Sequence, residues 1–214
     1  MAKHTQAKIC GIHTEDALQS CITHGADFIG FVFYPRSPRH IDVQKFIALA
    51  AHTPTHIQKV GLFVNSDDTL ITKCASHLDI IQLHGDETPT RCAEIKTLSG
   101  CKIMKALAIK NEDDLAQINV YDPVCDWLLF DAKPSDKASA LPGGNGLSFD
   151  WSLLNGLKTT KPWMLAGGLD ANNVNAAIKL VHPHAVDVSS GVESRLGHKD
   201  DEKIKQFISA VRRG

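Results

Sequence analysis

Short apolar runs recur eight times along the chain, and each is followed by a polar–apolar stretch with helical spacing. This alternation constrains the fold more than any other feature, because a parallel strand pair needs a helix-length crossover to bring the chain back to the same end of the sheet. The apolar runs are Lys8 to Cys10, Phe28 to Phe33, Lys59 to Val64, Ile80 to Leu83, Lys102 to Ala106, Trp127 to Asp131, Trp163 to Ala166 and Ala185 to Val188. Helical stretches follow over Thr14 to His24, Asp42 to Ala51, Asp67 to Ser76, Thr88 to Leu98, Glu112 to Tyr121, Trp151 to Leu157, Asn172 to Val181 and Asp201 to Arg212. Their ends carry the expected chemistry. Thr14 with Glu15 and Asp16 makes a cap and an acidic first turn, Gly25 a stop, and Pro89 suits a first helical position.

Eight such units in 214 residues fit a single α/β domain, a (β/α)8 TIM barrel over residues 1–214. The rival is a doubly wound open sheet, which carries a glycine-rich turn after its first strand. Here that turn reads Cys10-Gly11-Ile12-His13 and has no such pattern. One connection is unusually long: Lys133 to Ser148 contains two prolines and Gly143-Gly144-Asn145-Gly146, the composition of a lid or binding loop.

Composition narrows the function by exclusion. A net charge of -1 gives no general electrostatic case for nucleic acid or anionic lipid, so neither is expected as a partner. No apolar run is long enough for a bilayer, and Met1 to Ala7 lacks the apolar segment of a signal peptide. The six cysteines are scattered without a CxxC pair, which suits neither a disulfide framework nor a zinc ribbon. The expectation is a cytoplasmic protein, monomer or homodimer, without metal or other cofactor.

In a barrel, chemistry sits at the C-terminal ends of the strands. The residues there are Cys10, Tyr34 to Arg39, Asn65, Gln82 with His84, Lys105, Asp131, Gly167-Gly168 and Ser189-Ser190-Gly191. Two glycine-bearing turns, after the seventh and eighth strands, stand where barrels commonly hold a phosphate. Glycine alone for tight turning is the plainer explanation; both turns falling on those two strands favours phosphate.

Cys10 and Asp131 end the first and sixth strands and make a plausible base and acid for moving a proton along a carbon skeleton. Lys8 shares a strand face with Cys10, so its ammonium is expected to lower the thiol pKa. The alternatives are a buried barrel cysteine and a surface salt bridge between Asp131 and Lys133. Arg36 and Arg39 flank Ser37-Pro38 in a proline-stiffened loop, where a guanidinium can grip a carboxylate. Gln82 and His84 share a strand face, and His84 is open as hydrogen-bonding residue or general base. These residues describe a cofactor-free isomerase or lyase acting on a phosphorylated small molecule. A barrel that binds such molecules without catalysis would have no need for an acid and a base.

At the same positions the chain resembles the phosphoribosylanthranilate isomerase family. The matching segments are Lys8 to Ile12, Gly30 to Pro35 with Ser37 and Arg39, Val60 to Asn65, Ile81 to Gly85, Phe130-Asp131 with Lys133, Phe149 to Trp151, Gly167 to Leu169, Val186 to Glu193, and Gly197 with Lys199-Asp200. They run through almost the whole chain in family order. The resemblance implies an Amadori rearrangement, with Asp131 as the acid that opens the sugar ring and Cys10 as the base that removes the C2 proton. It implies that Arg39, rather than Arg36, holds the anthranilate carboxylate. The Gly167-Gly168 and Ser189-Ser190-Gly191 turns would hold the phosphate, and Gln82, His84 and Asp187 would line the mouth. A histidine-pathway isomerase of similar fold carries an aspartate where this chain has Cys10. One departure stands in the long loop, where Asn145 replaces the hydroxyl residue usual in the family.

Overall fold

The computed structural model describes residues 4–132 and 148–214. The loop expected to act as a lid lies, but for Ser148, outside the described residues. Eight parallel strands follow one another around a closed ring: β1 (Gln6–Cys10), β2 (Phe28–Val32), β3 (Gln58–Phe63), β4 (Ile80–Leu83), β5 (Lys102–Ile109), β6 (Trp127–Ala132), β7 (Trp163–Leu165) and β8 (Ala185–Val188), with β8 pairing back onto β1. The helices are α1 (Glu15–His24), α2 (Val43–His52), α3 (Asp68–Ala75), α4 (Pro89–Ser99), α5 (Gln117–Tyr121), α6 (Val174–Val181) and α7 (Asp201–Arg212). The predicted TIM barrel is therefore the observed one.

Strand alternation sorts the side chains into two sets. Ile9, Ile29, Phe31, Ile81, Ile103, Phe130, Leu165 and Val186 point outward and form one continuous core with the helices. Inward-pointing Phe28, Val60, Ile80, Met104, Leu129, Met164 and Ala185 fill the barrel interior. Two residues further along their strands, Gln82, Asp131 and Asp187 follow Ile80, Leu129 and Ala185 on the same inward face. The polar residues of the sequence thus come at the C-terminal end of an apolar plug.

Caps explain most helix starts. Thr14, Asp42, Asp67, Thr88 and Asp200 each accept a hydrogen bond from a backbone N–H in the first turn they precede. Two expected helices are shorter than their patterns. After β5, Asn111 and Asp114 cap each other's backbone, and a 3₁₀ turn over Glu112–Ala116 precedes the five-residue α5. After β6, a single 3₁₀ turn spans Trp151–Leu154, because Asn155 swings to an extended conformation (ψ 127°) and ends it. One element was not anticipated: a small antiparallel hairpin of Glu193–Arg195 and His198–Lys199 following β8.

Aromatic packing fixes the root of the loop that carries Arg39. Phe33 stacks on Phe63 at 4.8 Å, and Phe46 of α2 meets both Phe31 and Phe33 edge-on at 5.0 Å. Each such side chain contributes roughly 1.5–3 kcal/mol by leaving water. Ile41 N–H then returns to Val32 O at 3.0 Å, closing the loop onto β2.

Candidate active site

A line of polar side chains crosses the barrel between β1, β8, β4 and β6. Lys8 is fully buried, and its ammonium donates to Asp187 Oδ1 at 3.0 Å and to Gln82 Oε1 at 2.8 Å. The β1–β8 register pairs Lys8 with Asp187 directly. Gln82 Nε2 meets His84 Nδ1 at 3.1 Å, and His84 Nε2 lies 3.5 Å from Asp131 Oδ2. Cys10, two residues beyond Lys8 on the same face, lies against the Lys8 ammonium. The structure therefore joins five of the predicted residues, Cys10, Gln82, His84, Asp131 and Asp187, through a sixth, Lys8. A buried ammonium is costly unless paired; here Asp187 and the Cys10 thiol hold the Lys8 pKa above its usual value against burial, which would lower it.

Lys8 does pull the Cys10 pKa down as expected, but it does not set the net direction. Burial is the largest influence and pushes the Cys10 thiol up; Lys8 and Lys199 pull it down, Asp187 adds to the rise, and the net direction is upward. The thiol is only 4% exposed, so its thiolate loses far more solvation than a surface cysteine's would.

Arg39 is buried, with Nε 2.7 Å from Glu193 Oε1 and Nη2 2.9 Å from Glu193 Oε2. This bidentate pair engages two of the five N–H donors of the guanidinium. Gly11 makes it possible: at φ +88°, a Cβ there would sit 2.8 Å from Arg39 Cδ. Lys199 Nζ adds a third bond to Glu193 Oε1 at 2.9 Å and also reaches Ser189 O and Oγ at 2.9 and 3.2 Å.

Burial raises the Glu193 carboxyl, but hydrogen bonds and charge from Arg39 and Lys199 outweigh it and hold the pKa at about 2. A depressed carboxyl stabilises the fold above its unfolded value of about 4.3 and loses that contribution as pH falls towards 2. Glu193→Gln removes the carboxylate that two buried cations share, at a cost on the order of 3–5 kcal/mol. Thermal melts at neutral pH are expected to fall by roughly 10 °C. The variant's melting temperature should also decline less than wild type between pH 4.5 and 2.5.

The two glycine turns lie where the sequence put them. Gly167 and Gly168 follow β7 with φ +87° and +66°. A Cβ on Gly167 would come within 2.8 Å of Ala132 N and 3.1 Å of Asp131 Oδ1, so the glycine also leaves room for the carboxylate. After β8, Ser189 donates to Cys10 O at 3.0 Å, and Ser190-Gly191-Val192 form a 3₁₀ turn. Gly191 packs on Leu169 O so closely that a side chain there would overlap it.

Reading strand ends alone passes over three residues of this site. Lys8 lies two residues inside its strand, and Glu193 and Lys199 lie in the hairpin beyond β8. Lys105, by contrast, stood among the strand-end residues but serves the scaffold. Its ammonium binds Glu87 Oε2 at 2.8 Å and the carbonyls of Leu83 and Gly85 at 3.3 and 2.6 Å, bracing the turn after His84. Among the described residues, no cluster of three or more His, Cys, Asp or Glu side chains has the arrangement of metal ligands.

Residues 7–210 match the family model described as PRAI, N-(5'phosphoribosyl)anthranilate (PRA) isomerase. A Paracoccus denitrificans N-(5'-phosphoribosyl)anthranilate isomerase is 50% identical over 204 residues, covering 94% of each chain. The crystal structure of phosphoribosyl anthranilate isomerase from Thermotoga maritima superposes with TM-score 0.88 at 35% identity, over 98% of this chain and 100% of that one. A phosphoribosyl anthranilate isomerase in complex with reduced 1-(o-carboxyphenylamino)-1-deoxyribulose 5-phosphate superposes with TM-score 0.85 at 34% identity, again over 98% and 100%. On this agreement in sequence, fold and length, the chain belongs to the N-(5'-phosphoribosyl)anthranilate isomerase family.

Proposed function

We propose that the chain isomerises N-(5'-phosphoribosyl)anthranilate to 1-(o-carboxyphenylamino)-1-deoxyribulose 5-phosphate, a step of tryptophan biosynthesis. Family membership supports the activity. The observation that carries the residue roles is the buried polar line holding a thiol and a carboxyl at the ends of β1 and β6, three strands apart around the ring.

Asp131 gives its proton to the furanose ring oxygen as the C1–O bond breaks, leaving an iminium at C1. Cys10, as thiolate, takes the C2 proton, and the C2–H electron pair forms the C1–C2 double bond of an enolamine. Tautomerisation of the C2 enol to a ketone, with protonation at C1, completes the product. Asp187 fixes Lys8 beneath the thiol, and His84 lies against the acid.

Arg39, oriented by Glu193, binds the anthranilate carboxylate. The phosphate docks on the backbone of Gly167, Gly168, Ser189, Ser190 and Gly191. Lys199, held at Ser189, adds positive charge below that turn and favours the dianion. The six cysteines are all free and buried, which suits a reducing, cytoplasmic compartment.

The test is to give purified, metal-free protein N-(5'-phosphoribosyl)anthranilate and follow the ketose product by NMR. Conversion is expected. An inert protein would refer the site to a phosphate-binding barrel without catalysis.

A further inference from the structure

The hydrogen bonds along the polar line have a direction, and the direction follows from which groups can donate. An ammonium has three donors and no acceptor. Lys8 Nζ therefore requires the oxygen of the Gln82 amide, and it meets Oε1 at 2.8 Å. That choice turns the amide nitrogen to the other side, where Nε2 stands 3.1 Å from His84 Nδ1. An amide nitrogen only donates, so Nδ1 must accept and carry a lone pair. The proton of a neutral imidazole is then on Nε2, and this is the nitrogen that faces Asp131 Oδ2 at 3.5 Å.

We propose that Lys8 and Gln82 lock His84 as the neutral Nε2–H tautomer, making both of them positioning residues for the Asp131 acid. This rests on the assignment of Asp131 as proton donor. When the proton leaves for the sugar ring, a carboxylate forms, and the imidazole N–H already points at it. The resting contact is long, and such contacts tighten as charge develops. The lock also removes His84 from competition as a base, because one ring nitrogen is occupied by the amide and the other is protonated. Lys8 thereby serves both ends of the chemistry: it adjoins the Cys10 thiol and, through two side chains, orients the donor beside Asp131.

Gln82→Glu tests the direction. It keeps the side chain's shape and can pair with Lys8, but a carboxylate has no donor for Nδ1. The substrate-free protein, labelled with ¹⁵N-histidine, is read by long-range ¹H–¹⁵N correlation, with the His84 signals identified by their loss in His84→Asn. In wild type, Nδ1 is expected in the unprotonated range and Nε2 in the protonated range. In Gln82→Glu, Nδ1 should become protonated, and kcat should fall at least tenfold with KM within about twofold. If Gln82→Glu does not fold, Gln82→Met, which has no donor and only a weakly accepting sulfur, should leave His84 a mixture of tautomers, with a fall in kcat.

Wild-type His84 with a protonated Nδ1, or a pattern unchanged by these substitutions, overturns the lock. A changed tautomer with unchanged kcat overturns the positioning role. Because the spectra need no substrate, the lock is judged separately from the acid: Asp131→Asn that turned over normally would sink the acid assignment and leave the tautomer standing.

Discussion

Cys10→Ala is expected to lower kcat by on the order of 10²–10⁴-fold, the usual contribution of a positioned general base. Among the described residues, the site offers no substitute for it. Lys8 is committed to Asp187 and Gln82, and Asp187 is held by Lys8. The fold should tolerate the change, because Cys10 sits in a small apolar group with Val32 and Leu62, with Tyr34 and Val64 beside them, and losing one sulfur costs about 1 kcal/mol. A thermal melt near that of wild type would therefore separate loss of chemistry from loss of structure. The pH profile adds a second check. Burial pushes the Cys10 thiol up, so wild-type kcat/KM should climb with pH through neutrality as the thiolate fraction grows. That rising limb should be absent from the residual activity of Cys10→Ala. Near-normal turnover with the limb intact would mean that another group takes the C2 proton.

Cys10→Ala and Glu193→Gln follow from very different amounts of sequence information. The eightfold alternation shows the ring, and strand period two shows that Lys8 with Cys10, Gln82 with His84, and Asp131 all face inward. Polar residues ending apolar strands cost stability unless they are paired or used, which is why the site's inner wall was legible. Its outer wall was not. Glu193 and Lys199 lie beyond the last strand in a short hairpin, where neither periodicity nor a strand-end filter reaches. Their importance comes from the fold returning the hairpin against the loop that carries Arg39. The net direction of the Cys10 shift was not legible for a related reason. Sequence shows the neighbouring ammonium but not the depth of burial, and burial is the larger influence.

Asp131→Asn should be comparably severe, lowering kcat by on the order of 10²–10⁴-fold while KM changes little. The amide has nearly the shape of the carboxyl and can still accept from Ala132 N–H, which now donates to Oδ1 at 2.8 Å. It cannot release a proton to a sugar oxygen. Ring opening would then depend on water or on His84, whose Nε2 lies on the far side of the carboxyl from that backbone bond, 3.5 Å from Oδ2. The two lesions should differ in their pH profiles. Asp131→Asn should keep the rising limb that the Cys10 thiol confers, and Cys10→Ala should lose it. Loss of that limb in both variants would sink its assignment to the thiol. A variant that raised KM with kcat intact would make Asp131 a binding group instead. The double variant is expected to be little worse than the weaker single one, since removing either member of an acid–base pair already leaves the other with half a reaction to catalyse.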